Sequence, residues 1–178
     1  HSSAASVPAI NGAIYMVNAS YCNIRNNTIS QSSGKTPIQI VSSSYNNMTD
    51  NKIYSKASNV IFIGMGFNTY SVAGISEFNI FKNNIINGTT GISSAWCYAI
   101  KLQGNSKQNK LVGQNTFIGN VISNAFVGVN AVADVGEVVI INNTFVNIKT
   151  GIDVSTNVVG GGIVVKGNSI NVSNIGIS

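Results

Sequence analysis

Apolar residues in this chain come in short runs and alternations, punctuated by Asn, Ser, Thr and Gly, with no sustained 3.6-residue period. Val138 to Ile141 and Thr144 to Ile148, on either side of an Asn-Asn pair, are representative. They predict short strands joined by tight turns and leave helices at most a minor part. Within these runs a motif recurs: an apolar residue, two intervening residues, Asn, one residue, then Ile or Phe. It is found at Ile24-Asn27-Ile29, Met48-Asn51-Ile53, Phe81-Asn84-Ile86, Val112-Asn115-Phe117, Ile140-Asn143-Phe145 and Val165-Asn168-Ile170.

Successive motif asparagines lie 24 to 33 residues apart, the behaviour of a common structural unit carrying insertions of variable length. Such a period predicts an all-β, single-stranded right-handed parallel β-helix of about six rungs, a rod roughly 30 Å long at the usual strand spacing. Two apolar columns then fill its interior. One is Ile24, Met48, Phe81, Val112, Ile140 and Val165; the other is Ile29, Ile53, Ile86, Phe117, Phe145 and Ile170. Asn27, Asn51, Asn84, Asn115, Asn143 and Asn168 would stack between them as a structural ladder. Their side chains would bond to one another and to local backbone, and Asn tolerates the left-handed geometry of a tight turn. An antiparallel sandwich is the alternative fold, with hairpin turns and clean face alternation as its signature.

Composition is consistent with a solenoid. Hydrophobic residues make up 44% but charged residues only 8%, so neutral polar groups must cover the surface. No linker divides the chain, and residues 1–178 read as one domain. The strand-like end from Asn168 to Ser178 reads as a rung cut off or covered, which favours a fragment of a longer chain. The formal net charge is +5, but the basic residues are scattered; Lys101, Lys107 and Lys110 form only a weak cluster, and no nucleic-acid surface is expected. Cys22 and Cys97 have no metal-binding spacing and read as free thiols. No apolar stretch reaches membrane-spanning length. The Asn-x-Ser/Thr sequences at Asn18, Asn26, Asn47, Asn87, Asn142 and Asn171 read as by-products of an asparagine-rich fold.

Candidate chemistry is sparse. The acids are Asp50, Glu77, Asp134, Glu137 and Asp153, and the sole histidine is His1. Glu77 precedes Asn84 by seven positions and Glu137 precedes Asn143 by six. Nearly matching registers two rungs apart put the pair about 10 Å from each other, near the separation an inverting glycosidase uses. Glu77, Asp134 and Glu137 are therefore the catalytic candidates. The long insertions carry Tyr70, Trp96, Tyr98 and Lys101, the candidate substrate-binding residues, with the aromatic rings suited to sugar stacking. No metal set, phosphate loop, nucleophile elbow or cofactor motif is present, and the Gly160–Gly162 run reads as a bend.

The repeats NNTIS (26–30), NNIING (83–88) and INNTFVN (141–147) resemble the right-handed β-helix region shared by pectate-lyase-like proteins, over nearly the whole chain. Among their activities, calcium-dependent lyases use clustered acids and a catalytic arginine, whereas this chain has only Arg25, within a turn motif. The several close aspartates of polygalacturonase-like sites and the Tyr/Asp/His set of alginate epimerases are also lacking. The neutral surface is most similar to a phage tailspike or fibre. That resemblance implies a homotrimer on a virion tail or otherwise extracellular, not inserted in a membrane, that binds bacterial surface polysaccharide and in some cases hydrolyses it. A structural shaft or adhesin without catalysis, and a polysaccharide lyase or epimerase, are the alternatives.

Overall fold

The computed structural model describes residues 13–31, 36–55, 59–64, 75–88, 97–104, 112–132, 135–155 and 162–178. The chain coils as a right-handed parallel β-helix of about five turns. Its first turn lays down β1 (Ile14–Val17), β2 (Asn23–Arg25) and β3 (Thr28–Gln31), and its second β4 (Ile38–Val41), β5 (Asn47–Thr49) and β6 (Lys52–Ser55). The third contains β7 (Asn59–Gly64), the two-residue β8 (Ser76–Glu77), β9 (Ile80–Lys82) and β10 (Ile85–Gly88). Then come β11 (Tyr98–Gln103), β12 (Val112–Gly113), β13 (Asn115–Ile118), β14 (Val121–Val132), β15 (Val138–Ile141), β16 (Thr144–Ser155), β17 (Ile163–Lys166) and β18 (Ser169–Ile177).

Strands of successive turns pair in parallel throughout the described residues, which excludes the antiparallel sandwich. One face is the six-stranded sheet β17-β15-β13-β9-β5-β2. The other two faces are joined into a ten-stranded sheet, because β14 and β16 continue through a corner from one turn into the next.

The registers show a shorter repeat inside each turn. Along the second turn Ser43, Asn46, Met48, Asn51 and Ile53 face inward, and along the third Ser76, Asn79, Phe81, Asn84 and Ile86, so an Asn-x-apolar unit occurs twice, five residues apart. In the fourth turn both Val112-Asn115-Phe117 and Phe117-Asn120-Ile122 satisfy the motif, and the structure assigns them to different corners. Phe117 pairs with Phe81 and Ile140, so the first column is Ile24, Met48, Phe81, Phe117, Ile140 and Val165. Ile122 pairs with Ile86 and Phe145, and takes the place expected for Phe117 in the second column. Phe81 and Phe117 stack with centroids 4.8 Å apart. Each fully buried large side chain of these columns contributes about 1.5–3 kcal/mol.

The asparagine ladder is corrected in the same way. It runs Asn27, Asn51, Asn84, Asn120, Asn143 and Asn168, and Asn115 is not part of it. Along it each backbone N–H donates to the next turn's Oδ1, at 2.8 to 3.0 Å. Each Nδ2 from Asn51 onward donates back to a carbonyl of the turn before, as Asn120 does to Phe81 at 2.9 Å. Asn115 instead ends a second ladder through Asn46 and Asn79, which begins at the backbone of Cys22 and stops where Val138 replaces asparagine. These bonds satisfy amides buried at the two corners the ladders occupy.

Left-handed geometry falls on the residue before each ladder position rather than on the ladder asparagine. Positive φ occurs at Tyr21, Tyr45, Phe78 and Gln114 before the second ladder, and at Asn26, Asp50, Asn83, Gly119, Asn142 and Gly167 before the first. The left-handed residue turns the chain, leaving the following asparagine free to point inward. Neither cysteine forms a disulfide; Cys97 is buried and Cys22 half-buried.

Candidate functional site

The second ladder places a row of outward side chains along the helix axis. Tyr21, Tyr45 and Phe78, each just before a ladder position on successive turns, stack face to face with centroid spacings of 5.1 and 4.8 Å and interplanar angles of 7°. The spacing is set by the strands beneath, which hold equivalent residues one turn apart. Exposure falls from 75% at Tyr21 to 46% at Tyr45 and 38% at Phe78. The trend follows from the stacking: each inner ring covers its neighbour, and Tyr21, at the end of the column, keeps one face open.

The same row continues through exposed Gln114 to exposed Glu137, the residue before Val138. Beside it lies Glu77, in register with Gly113. A Cβ on Gly113 would lie 3.7 Å from Glu77 Oε1, 3.7 Å from the Glu137 backbone nitrogen and 3.4 Å from the Gly136 Cα. Glu77 and Glu137 thus flank a floor of two glycines at the end of the aromatic column, offset by one residue across two turns. Burial pushes the Glu77 carboxyl above its ordinary range. The Glu77 backbone is fixed by Tyr45, whose N–H donates to its carbonyl at 3.0 Å, and by the Ser44 hydroxyl, which accepts from its N–H at 3.1 Å.

Tyr98 and Lys101 lie elsewhere, on β11. Lys101 Nζ sits 5.2 Å from the centroid of the Tyr98 ring. Lys101 is in register with Asn130 on β14, and Asn130 with Asp153 on β16, so three polar residues form one row across three turns. Asn130 alternates with the core residues Val129 and Ala131, and its Nδ2 donates to Asp153 Oδ2 at 2.9 Å. The Ser178 hydroxyl donates to Asp153 Oδ1 at 3.2 Å. Burial, and then the charge of Asp153, raise the Tyr98 hydroxyl, while burial lowers the Lys101 ammonium. The candidates Tyr70, Trp96 and Asp134 lie outside the described residues. Among the described residues no group of three potential metal ligands lies together, and no helix is long and apolar enough to cross a membrane.

A family model described as a right-handed β-helix region matches residues 5–145, most of the chain. The chain belongs to the right-handed β-helix family. No curated protein and no solved structure matches it. In this β-helix, sequence reasoning missed the Tyr21-Tyr45-Phe78 column, although a signal was present: each aromatic directly precedes a position of the five-residue unit. Asn130 and Asp153 gave no such signal. They meet only through the register of two long strands, 23 residues apart.

Proposed function

We propose that this β-helix is a glycan-recognition domain of the phage-tailspike kind, extracellular or on a virion tail, that binds bacterial surface polysaccharide along the row from Tyr21 to Glu137. The observation that supports this reading is the exposed aromatic column in line with Gln114 and the two acids. An extended polymer needs a long, regular surface with an apolar strip for its C–H faces and polar groups for its hydroxyls. The open face of Tyr21 is the stacking platform, and the ring edges and tyrosine hydroxyls of the column extend it. Where cleavage accompanies binding, Glu77, whose raised pKa keeps it protonated to higher pH, gives its proton to the glycosidic oxygen, and Glu137 takes a proton from the attacking water. Two strand spacings, roughly 10 Å, suit the inverting geometry. The resemblance to tailspikes adds a homotrimer.

A structural shaft is the second reading, and one feature favours it: the inner rings of the column occupy each other's faces, so stacking stabilises the surface as well as offering it. Incubation of the protein, its mass in solution determined, with a panel of bacterial capsular and lipopolysaccharide glycans separates the two. The glycan reading expects binding to at least one polymer that falls at least tenfold in Tyr21→Ala with the fold retained. Shortened polymers lost in Glu77→Gln would add hydrolysis, and unsaturated ends would point to a lyase. No binding across the panel would leave the shaft.

A further inference from the structure

A third row of asparagines runs along the outside of the helix. Asn124 Nδ2 donates to Asn87 Oδ1 at 3.1 Å, and Asn147 Nδ2 donates to Asn124 Oδ1, so side-chain amides on three successive turns form one directional chain. Asn124 and Asn147 adopt left-handed φ, 54° and 52°, at the corner inside the long strands β14 and β16. The next turn carries Asn171 at this corner, yet no hydrogen bond joins it to Asn147. The pairing of β16 with β18 gives the reason. Asn171 is in register with Val146 and Val172 with Ile148, so Asn147 is an extra residue without a partner on β18. An extra residue on β18 between Val172 and Ile175 then restores the register at Thr150. Two opposed bulges of this kind bend the strands apart and re-aim their side chains. A cavity of about 320 Å³ opens there, lined by Val146, Asn147, Ile148, Asn171, Val172 and Ser173.

We propose that this cavity is a second binding site, which takes the acetamido group of an N-acetylated sugar. Its volume is at the small end of ligand pockets and suits a single sugar ring. None of the six lining residues is charged, and Lys149, next to them in the chain, holds its ammonium 4.6 Å from the centroid of the Phe126 ring. An ionic ligand therefore meets no counter-charge among them. Asn147 Nδ2 is committed to Asn124, which leaves Oδ1 as an acceptor, and the exposed Asn171 supplies a donor in Nδ2. An amide that gives its N–H to Asn147 and takes the Asn171 N–H on its carbonyl continues the polar chain that the bulge interrupts. A hydroxyl can make either bond, but only the acetamido group adds a methyl, for which Val146 and Val172 are an apolar seat. Peptide bonds contain the same amide, yet an extended peptide binds by adding to a free strand edge, and this cavity lies between strands already paired with each other. A compact ring needs no edge, and Ser173 adds a hydroxyl for it. The site is at a different corner from the aromatic row and stands whether or not that row binds polymer.

The test is an NMR titration of the 15N-labelled chain with the methyl glycosides of N-acetylglucosamine and N-acetylgalactosamine. Methyl glucoside and methyl galactoside, which lack the acetamido group, and N-acetylglycine methylamide, a peptide amide without a sugar, are the comparisons. The side-chain amides of Asn147 and Asn171 are the reporters. The expected result is saturable movement of both signals with at least one acetamido sugar, and at least tenfold weaker binding of its counterpart without that group. Asn171→Ala and Asn147→Gly, the latter keeping the left-handed backbone, should each weaken that sugar at least tenfold, and Tyr21→Ala should leave it unaltered. Asn147 and Asn171 signals unmoved by both acetamido sugars overturn the proposal, even where Tyr21 and Tyr45 respond. So does binding of the plain glycosides, or of the peptide amide, as tightly as the acetamido sugars. Should Asn147→Gly fail to fold, Asn171→Ala and the wild-type titration decide.

Discussion

Asn84 accepts two hydrogen bonds from Asn51 on one oxygen, from the backbone N–H and from the side-chain amide, both at 3.0 Å. Its own Nδ2 donates to the Met48 carbonyl at 2.8 Å and to Asn120 Oδ1 at 3.0 Å. One buried side chain therefore satisfies groups on the turn before it and the turn after it. Asn84→Leu strips partners from the Asn51 amides and the Met48 carbonyl at once. At about 1–3 kcal/mol for each buried group left unpaired, the expected loss is about 3 kcal/mol or more by urea denaturation. Asn23→Ala, which removes only an exposed acceptor of Asn47, should change stability by less than about 0.5 kcal/mol. Equal losses for the two variants would mean that the ladder does not carry the corner.

Gly128 and Gly176 make opposite predictions. A Cβ on Gly128 would meet the Gly151 carbonyl oxygen at 2.5 Å and the Phe145 ring at 2.6 Å, whereas one on Gly176 meets nothing within 4 Å. Gly128→Ala forces backbone apart where β14 and β16 touch, with an expected cost of about 1–3 kcal/mol. Gly176→Ala should stay within about 0.5 kcal/mol of wild type. Thermal melts of the two variants side by side are sufficient.

Phe117→Ala opens a cavity at the centre of the first column, against Phe81 on one side and Ile140 on the other. The expected destabilisation is about 3–5 kcal/mol. Val112→Ala should cost less, because it removes two buried methyl groups and not a ring.

Glu77 also makes stability depend on pH. Burial raises its carboxyl above the ordinary value of 4.5, so the folded chain holds that proton more tightly than the unfolded chain. The resulting contribution is fully present below the unfolded value and is lost as pH rises through the higher folded value. Glu77→Gln cannot titrate. Its stability relative to wild type should therefore increase as pH rises from below the ordinary value of 4.5 through the higher folded value. A difference independent of pH would place the Glu77 carboxylate in open water.

The fold was legible because a β-helix writes its period into inward-facing positions: Asn27, Asn51, Asn84, Asn143 and Asn168 all align as their spacing implies. The fourth turn was not, because Phe117 belongs to two overlapping copies of the motif, and only strand pairing separates them. Glu77 and Glu137 reach the same strip for the reason the sequence suggested, nearly equal offsets from ladder asparagines. The sequence pattern puts the left-handed turns one residue late, since asparagine is common both at the ladder and before it. Tyr98 and Lys101 were visible as residue types, but their neighbours Asn130 and Asp153 depend on pairing between distant turns, which no local pattern records.

The left-handed positions have a wider consequence. Tyr, Phe, Gln, Asn, Asp and Gly all occupy those before the two ladders in this one chain, on backbone of nearly constant φ, and each but Tyr21 is followed by a ladder asparagine. Identity varies there at a recurring interval set by the strand spacing, except at Gly119 and Gly167, where a Cβ would collide with the Asn83 and Asn142 side chains. The chain thus has an addressable outer column in which the chemistry of the non-glycine sites can be exchanged without redesign of the interior. New specificities on this scaffold should arise by rewriting that column, one residue per turn, before any change in the core.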